Sequence, residues 1–343
     1  LKGLSRFNKF LFLANIIAIL LLLLACVTPT LSNEAFSFLT FLSLSVPALV
    51  LVNIFFLLYW LLRRKVKFAL PSLIVLILGY FALGTFFKFN FSQEEMARDD
   101  LKVMTYNVRL FNKDGQLENP NVLEDIQAFI KKEDPDIICF QEPYYKARDK
   151  FKDYPYYYLK YIDMQGKGIL GIFSKFPIVN QGIIDLPKTH SNAAFADIAY
   201  GQDTIRVYNA HLESLGITPG HRTLRTKRSD KVLKMLNRAF KKQQEQAKIL
   251  QKHMATSKYN TLFCGDLNNN QFSNTYETIK GDFQDTFLEK GSGYGRTLYF
   301  HRIPVRIDFI LADESFEVKS HKNYDVKYSD HYPVMASFQL RGD

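Results

Sequence analysis

The sequence predicts a mixed α/β domain carried behind three membrane-length apolar helices. Three observations predict it. The first ninety residues contain three long stretches without a charged residue. Beyond them, strand-length runs rich in β-branched and aromatic residues recur between Gly, Pro, Asn and Asp. Two stretches between those runs repeat their apolar residues at helical spacing instead.

The apolar stretches run from about Leu11 to Val27, Phe38 to Leu62 and Phe68 to Phe87. A helix crossing a hydrocarbon core needs about 20 apolar residues, and each stretch is near that length. Pro47 and Pro71 are awkward in a soluble helix but tolerated in a membrane one. Lys2, Arg6 and Lys9 before the first stretch also fit the charged start of a signal peptide. Two further spans and the lack of a clear small-x-small cleavage site favour a three-helix anchor over residues 1–90. Basic residues flank the first span and fill the loop Arg63, Arg64, Lys65, Lys67, whereas TPTLSNEA has only Glu34. The positive-inside rule puts those basic segments in the cytoplasm. The remainder of the chain is then expected on the extracytoplasmic, periplasmic side of an inner membrane. Polar residues in the spans are few (Asn15, Asn53), so no transport path is expected.

Composition separates the two parts. The chain has 343 residues and a formal net charge of +10, but the anchor is nearly free of acids. Cys26, Cys139 and Cys264 each lie in an apolar run with no framework spacing. That excludes a disulfide scaffold and a Cys-rich zinc site, and leaves buried small hydrophobes.

Residues 91–100 (FSQEEMARDD) read as a linker, and 101–341 as one domain long enough to bury a core. Its strand candidates are LKVMTYNVRL, DIICFQE, GILGIFSKF, TIRVYNAHL, NTLFCGDL, RIDFILA and PVMASFQL. Its helix candidates are VLEDIQAFIKKE, stopped before Pro135, and RSDKVLKMLNRAFKKQQEQAKILQKHM. Strands outnumber helices, which allows α/β or α+β.

Polar residues gather at the strand ends: Asn107, Gln141 and Glu142, Asn209 and His211, Asp266 and Asn268, Asp308, Asp330 and His331. Any one alone reads as a turn residue. Together they are the residue types that hold a hard cation and aim a water at phosphorus. Carboxylate and amide oxygens suit Mg²⁺, with Mn²⁺ an alternative. Imidazole and amide donors suit a phosphoryl oxygen that gains charge in the transition state. In GDLN, Asp266 and Asn268 lie two apart, so an extended chain points both the same way, and Leu267 turns to the core.

TYNVR, FQE, NAHLE, GDLN, RIDFI and SDHYP, in that order, resemble the endonuclease/exonuclease/phosphatase (DNase I-like) superfamily, in particular membrane-attached members from Bacteroidetes. The resemblance covers residues 101–341. It implies a four-layer α/β sandwich, two packed sheets flanked by helices, with the active site at one edge. It implies Glu142 as principal metal ligand, with Asn107 and Asp330 on the metal side. It also implies Asp266 serving the attacking water, Asn268 and His331 on the phosphate, Asp308 orienting His331, and His211 as a second imidazole. His211 argues against the abasic-site endonuclease branch. Asn209 matches less strictly, as a substrate contact or a loop-shaping residue.

The implied activity is metal-assisted phosphodiester hydrolysis by in-line water attack, nuclease-like. The alternatives are lipid head-group hydrolysis, as by a phospholipase C, sphingomyelinase or phosphoinositide phosphatase, and an inactive binding module. Expected partners are a nucleic-acid or phospholipid phosphoester and the bilayer; protein partners are not indicated. Basic residues from Arg222 to Lys252 suit a nucleic-acid backbone, anionic lipid or simply solvent. The tyrosines of Tyr154–Tyr161 suit base stacking, a membrane interface or a half-buried strand. Arg296 and Thr297 of GYGRT are candidate substrate contacts or turn residues.

Overall fold

The computed structural model describes residues 4–30, 40–90, 95–115, 117–160, 169–187, 189, 191–216, 229–300 and 303–342. Seven α-helices are described: α1 Arg6–Val27, α2 Thr40–Leu62, α3 Val66–Leu83, α4 Val122–Glu133, α5 Ser229–Met254, α6 Asn274–Lys280 and α7 Thr286–Lys290. The strands are β1 Leu101–Asn107, β2 Ile137–Gln141, β3 Tyr156–Lys160, β4 Leu170–Ser174, β5 Ile178–Ile184, β6 Asn192–Tyr200 and β7 Asp203–His211. They continue with β8 Asn260–Asp266, β9 Gln284–Asp285, β10 Leu298–Phe300, β11 Ile303–Val305, β12 Asp308–Ala312, β13 Phe316–Asn323 and β14 Val334–Leu340. The chain divides into two compact units, Leu1–Phe86 with Asn270–Glu277, and Phe87–Asn269 with Thr278–Asp343.

In the first unit, α1, α2 and α3 are long and apolar enough to cross a membrane. α3 ends at Leu83, short of the expected Phe87, because Gly84 takes a left-handed φ of 72° and stops the helix. Several polar residues between the helices are hydrogen-bonded there. Asn15 Nδ2 donates to Ser72 Oγ (2.8 Å), and Trp60 Nε1 donates to Asn15 Oδ1 (3.0 Å). Asn53 Nδ2 donates to the carbonyls of Leu49 and Ala18. Unpaired, each would carry the full desolvation cost of a buried polar group. Outward faces carry exposed Phe7, Leu20, Leu51, Phe55 and Phe81, an apolar surface that suits hydrocarbon rather than water.

The segment Asn270–Glu277 packs inside this unit. Phe272 is buried against Ala25 and Val46. Asn270 Nδ2 donates to the Ser43 carbonyl (2.9 Å), and Asn274 Nδ2 to the Pro29 carbonyl (2.7 Å).

The second unit contains two six-stranded sheets, ordered β13-β14-β1-β2-β4-β3 and β5-β6-β7-β8-β12-β9. β1–β2 and β7–β8 are parallel pairs, and β14 and β12 run antiparallel to them. β1 explains the apolar LKVMTYN. Val103 enters a core shared with Ile137, Ile172, Val207, Leu262 and Ile310. Met104 and Tyr106 enter an outer core under Ile126, Phe129 and Ile130 of α4. Strands covered on both faces read as near-continuous apolar runs. Cys139 and Cys264 lie in the inner core as free thiols. The tyrosines of β3 form an edge strand, with Tyr156 and Tyr157 exposed and Tyr158 half-buried; Tyr161 lies outside the described residues. The expected linker closes on structure: buried Asp100 accepts from Ser337 Oγ and Gln339 Nε2, both at 2.9 Å.

Candidate active site

Strand direction explains why the polar residues meet. β1 and β2 run parallel and end together at Asn107 and Gln141. β7 and β8 do the same in the other sheet, with His211 opposite Asp266. β12 runs the other way, so its first residue, Asp308, lies opposite Asp266 on the far side. β14 is antiparallel to β1, which brings the preceding His331 to this edge.

Asp266 Oδ2 is the focus. It accepts from Asn107 Nδ2 across the two sheets at 3.1 Å. It lies 3.5 Å from His211 Nε2 and 3.7 Å from His331 Nε2. His211 Nε2 is also 3.5 Å from Glu142 Oε1. His331 Nδ1 lies 3.0 Å from Asp308 Oδ2. Ligand atoms of Asp266, Asp308 and His331 all fall within 4.8 Å of one another, close enough for one cation.

Burial sets the charges. Asp266, Asp308 and His331 are 0%, 3% and 7% exposed. Burial lifts the Asp308 carboxyl to about 6, with Asp266 adding to the rise and His331 and the Thr297 hydroxyl restraining it. For His331, burial pushes down, but Asp308, Asp266 and Asp330 outweigh it and hold the imidazole up at about 10. At neutral pH the pair is therefore imidazolium and carboxylate. Nδ1–H is held by Asp308, which leaves Nε2–H to donate beside Asp266.

The site also concentrates backbone strain. Glu142 and Asn268 adopt φ of 51° and 49°, and Arg109 to Asn112 form a run of four left-handed residues. Each non-glycine residue there costs about 1–2 kcal/mol. Local bonds hold the run: Arg109 N donates to Asn107 Oδ1 (3.1 Å), and Leu110 N to the Glu142 carbonyl (2.8 Å). Asn268 does not continue an extended chain as expected. Its backbone N donates to Asp266 Oδ1 (2.7 Å), closing a turn that bends the loop, while its Nδ2 donates to the Leu212 carbonyl (3.1 Å).

Residues 104–331 match the endonuclease/exonuclease/phosphatase family. The chain belongs to that family. Its members are hydrolases acting on phosphoesters. Residues 8–86 match a second family, described as a domain of unknown function (DUF8431). Curated proteins give no match to this chain. Among solved structures, mannosyl-6-phosphatase from Bacteroides thetaiotaomicron is similar at 20% identity and TM-score 0.54, over 70% of this chain and 100% of its own. Human nocturnin's catalytic domain, with bound sulfate, is similar at 17% identity and TM-score 0.53, over 72% and 97%. TDP2 from D. rerio, complexed with a single-strand DNA product, aligns at 14% identity and TM-score 0.52, over 71% and 100%. These likenesses share the fold of two packed sheets flanked by helices.

Within this family fold, Asn107, Glu142, His211, Asp266, Asn268, Asp308 and His331 gather where strand ends of the two sheets meet. Other expected positions differ. Asn209 is fully buried, its Nδ2 donates to the Phe140 and Gly171 carbonyls (both 2.9 Å), and its Oδ1 accepts from Gln141 Nε2 (2.7 Å). It stitches the sheets beneath the site. Thr297 is also buried, its hydroxyl accepting from the backbone of Ile307 and Asp308. Arg296 pairs with Asp325 at 2.8 Å and lies over the Tyr332 ring. Asp330 is bound to Arg109 at 2.5 Å. Arg109, the last residue of TYNVR, received no role from the sequence; its place after a strand-end Asn was the available signal. Gly265 is required by packing: a Cβ there would lie 2.4 Å from the Ala210 carbonyl oxygen of the neighbouring strand.

Proposed function

We propose that this protein is a membrane-anchored, divalent-metal-dependent phosphodiesterase, nuclease-like in chemistry. The observation that carries the reading is that two imidazoles, His211 and His331, both come within 3.7 Å of Oδ2 of buried Asp266. Asp266 accepts the proton of the attacking water. His331, held as an imidazolium by Asp308, donates to a phosphoryl oxygen. His211 donates from the other side, on the leaving-group oxygen. Asn268 would contact the phosphate through the amide hydrogen not given to Leu212, and Arg296 by exchanging its contact with Asp325. General acid–base action of this kind contributes about 10²–10⁴-fold each.

The donor chemistry fits a hard dication, because carboxylates and an amide outnumber imidazoles and no thiol is present. Glu142, Asn107 and Asp330 would hold Mg²⁺ or Mn²⁺, with Asp266 adjoining; Asp330 would exchange its contact with Arg109. A bound dication supplies Lewis-acid neutralisation of charge on the phosphate.

Three apolar helices favour a second reading, hydrolysis of phospholipid head groups at the bilayer. By loop charge, the catalytic unit faces the extracytoplasmic side.

The test uses the full chain in detergent micelles, because Asn270–Glu277 packs in the helical unit. Hydrolysis of bis-p-nitrophenyl phosphate is expected with Mg²⁺ or Mn²⁺, to stop with EDTA, and to fall at least about 10²-fold in His331→Ala. Equal turnover by His331→Ala would sink the reading. Plasmid DNA, RNA, sphingomyelin and phosphoinositides offered in parallel separate the nuclease and lipid readings, and a C-terminal reporter active only in the cytoplasm would reverse the orientation.

A further inference from the structure

Beyond the strand-end cluster, the second unit holds a cavity of about 470 Å³ between Glu213–Gly216 and one face of α5. Lys234, Arg238 and Lys242 line it at four-residue spacing, which puts all three on the same side of the helix. Lys242 is neutralised by Glu213 at 2.9 Å, and Glu213 also accepts from the Thr189 hydroxyl. Lys234 and Arg238 make no ion pair among the described residues, so the cavity carries two uncompensated cations. Ser214 adds a hydroxyl to its wall.

This cavity is tied to the catalytic edge. Ser214 is three residues beyond His211, a chain distance of at most about 11 Å. Gln243 of α5 donates to the carbonyls of both Glu213 (2.7 Å) and Asn268 (3.1 Å). Its Oε1 accepts from Asn269 Nδ2 at 2.8 Å, and Gln246 Oε1 accepts from Glu213 N at 2.9 Å. One helix therefore braces the loop after His211, the loop after Asp266 and the basic wall together.

We propose that this cavity takes a second phosphate group of the substrate, one sugar or nucleotide unit away from the phosphate being cleaved. The guanidinium of Arg238 matches two phosphate oxygens, with Lys234 as a point charge and Ser214 as a donor. The inference rests on reading the strand-end cluster as a phosphoesterase site, and it narrows the substrate class to molecules carrying at least two phosphates. A polynucleotide and a phosphorylated lipid head group share that chemistry.

The test is binding without turnover, by calorimetry on the full chain in detergent micelles with EDTA. Two ligand pairs are used: thymidylyl-thymidine with and without a 5′-phosphate, and glycerophosphoinositol with and without a ring phosphate. The wild type is expected to bind the phosphorylated member of one pair at least tenfold tighter, and the pair preferred identifies the source. Lys234→Ala with Arg238→Ala is expected to abolish that preference. No preference in the wild type, or a preference kept by the double variant, overturns the proposal. Failure of the catalytic reading shows separately, as absent metal-dependent hydrolysis of bis-p-nitrophenyl phosphate.

Discussion

His331 Nδ1 lies 3.0 Å from Asp308 Oδ2, and both side chains are buried. Burial pushes the imidazole down, but this contact, with the charges of Asp266 and Asp330, outweighs it and holds the ring up. Asp308→Asn keeps the volume and removes the charge. His331 is then expected to titrate well below its value of about 10. Turnover at neutral pH should fall about 10²–10⁴-fold. NMR titration of the His331 ring together with kcat checks both; an unchanged ring titration would mean that Asp308 does not hold the proton.

Gly265 faces the Ala210 carbonyl so closely that a Cβ would sit 2.4 Å from its oxygen. Neither group is the end of a flexible side chain, so the strands must separate. Gly265→Ala should destabilise by about 1–3 kcal/mol. It should also reduce activity, because the same strand pair sets His211 against Asp266. Thermal unfolding and turnover measured on one preparation test this; a variant of wild-type stability would contradict it.

Asn209 engages two carbonyls and the Gln141 amide inside the core. Asn209→Ala removes its bonds to the two buried carbonyls, while Gln141 Nε2 keeps the Thr105 hydroxyl and the Cys139 carbonyl; the expected cost is about 1–3 kcal/mol. Its signature is lost stability with unchanged KM. A raised KM in a stable variant would return Asn209 to the substrate.

His321 is buried, with Thr286 Oγ1 2.8 Å from its Nδ1. Burial holds it down at about 4, against an ordinary 6.5. Its native pKa is depressed, so the unfolded state binds the proton first as pH falls. Stability is therefore fully present above about pH 6.5 and is lost progressively towards pH 4, by about 3 kcal/mol in total. Chemical unfolding across that range should show the slope, and His321→Gln should flatten it.

Much of this protein is local and therefore legible in one dimension. Length and apolarity mark α1, α2 and α3. Helical spacing marks α4 and α5, and apolar runs bounded by turn residues mark the long strands. The ordered motifs also name most residues of the strand-end cluster, because a strand's last residue is visible without knowing its neighbours.

Only the tertiary structure decided what those residues touch. Asn209 and His211 are two apart on one strand, yet one stitches the sheets and the other faces Asp266. Arg109 gains a role through Asp330, 221 positions away. Asn270, two residues after Asn268, belongs with the helical unit instead of the sheets. Each outcome depends on strand register and on packing between distant segments. Composition and period carry no information about those pairings, because they are set by which burial and hydrogen-bonding pattern satisfies the whole chain at once.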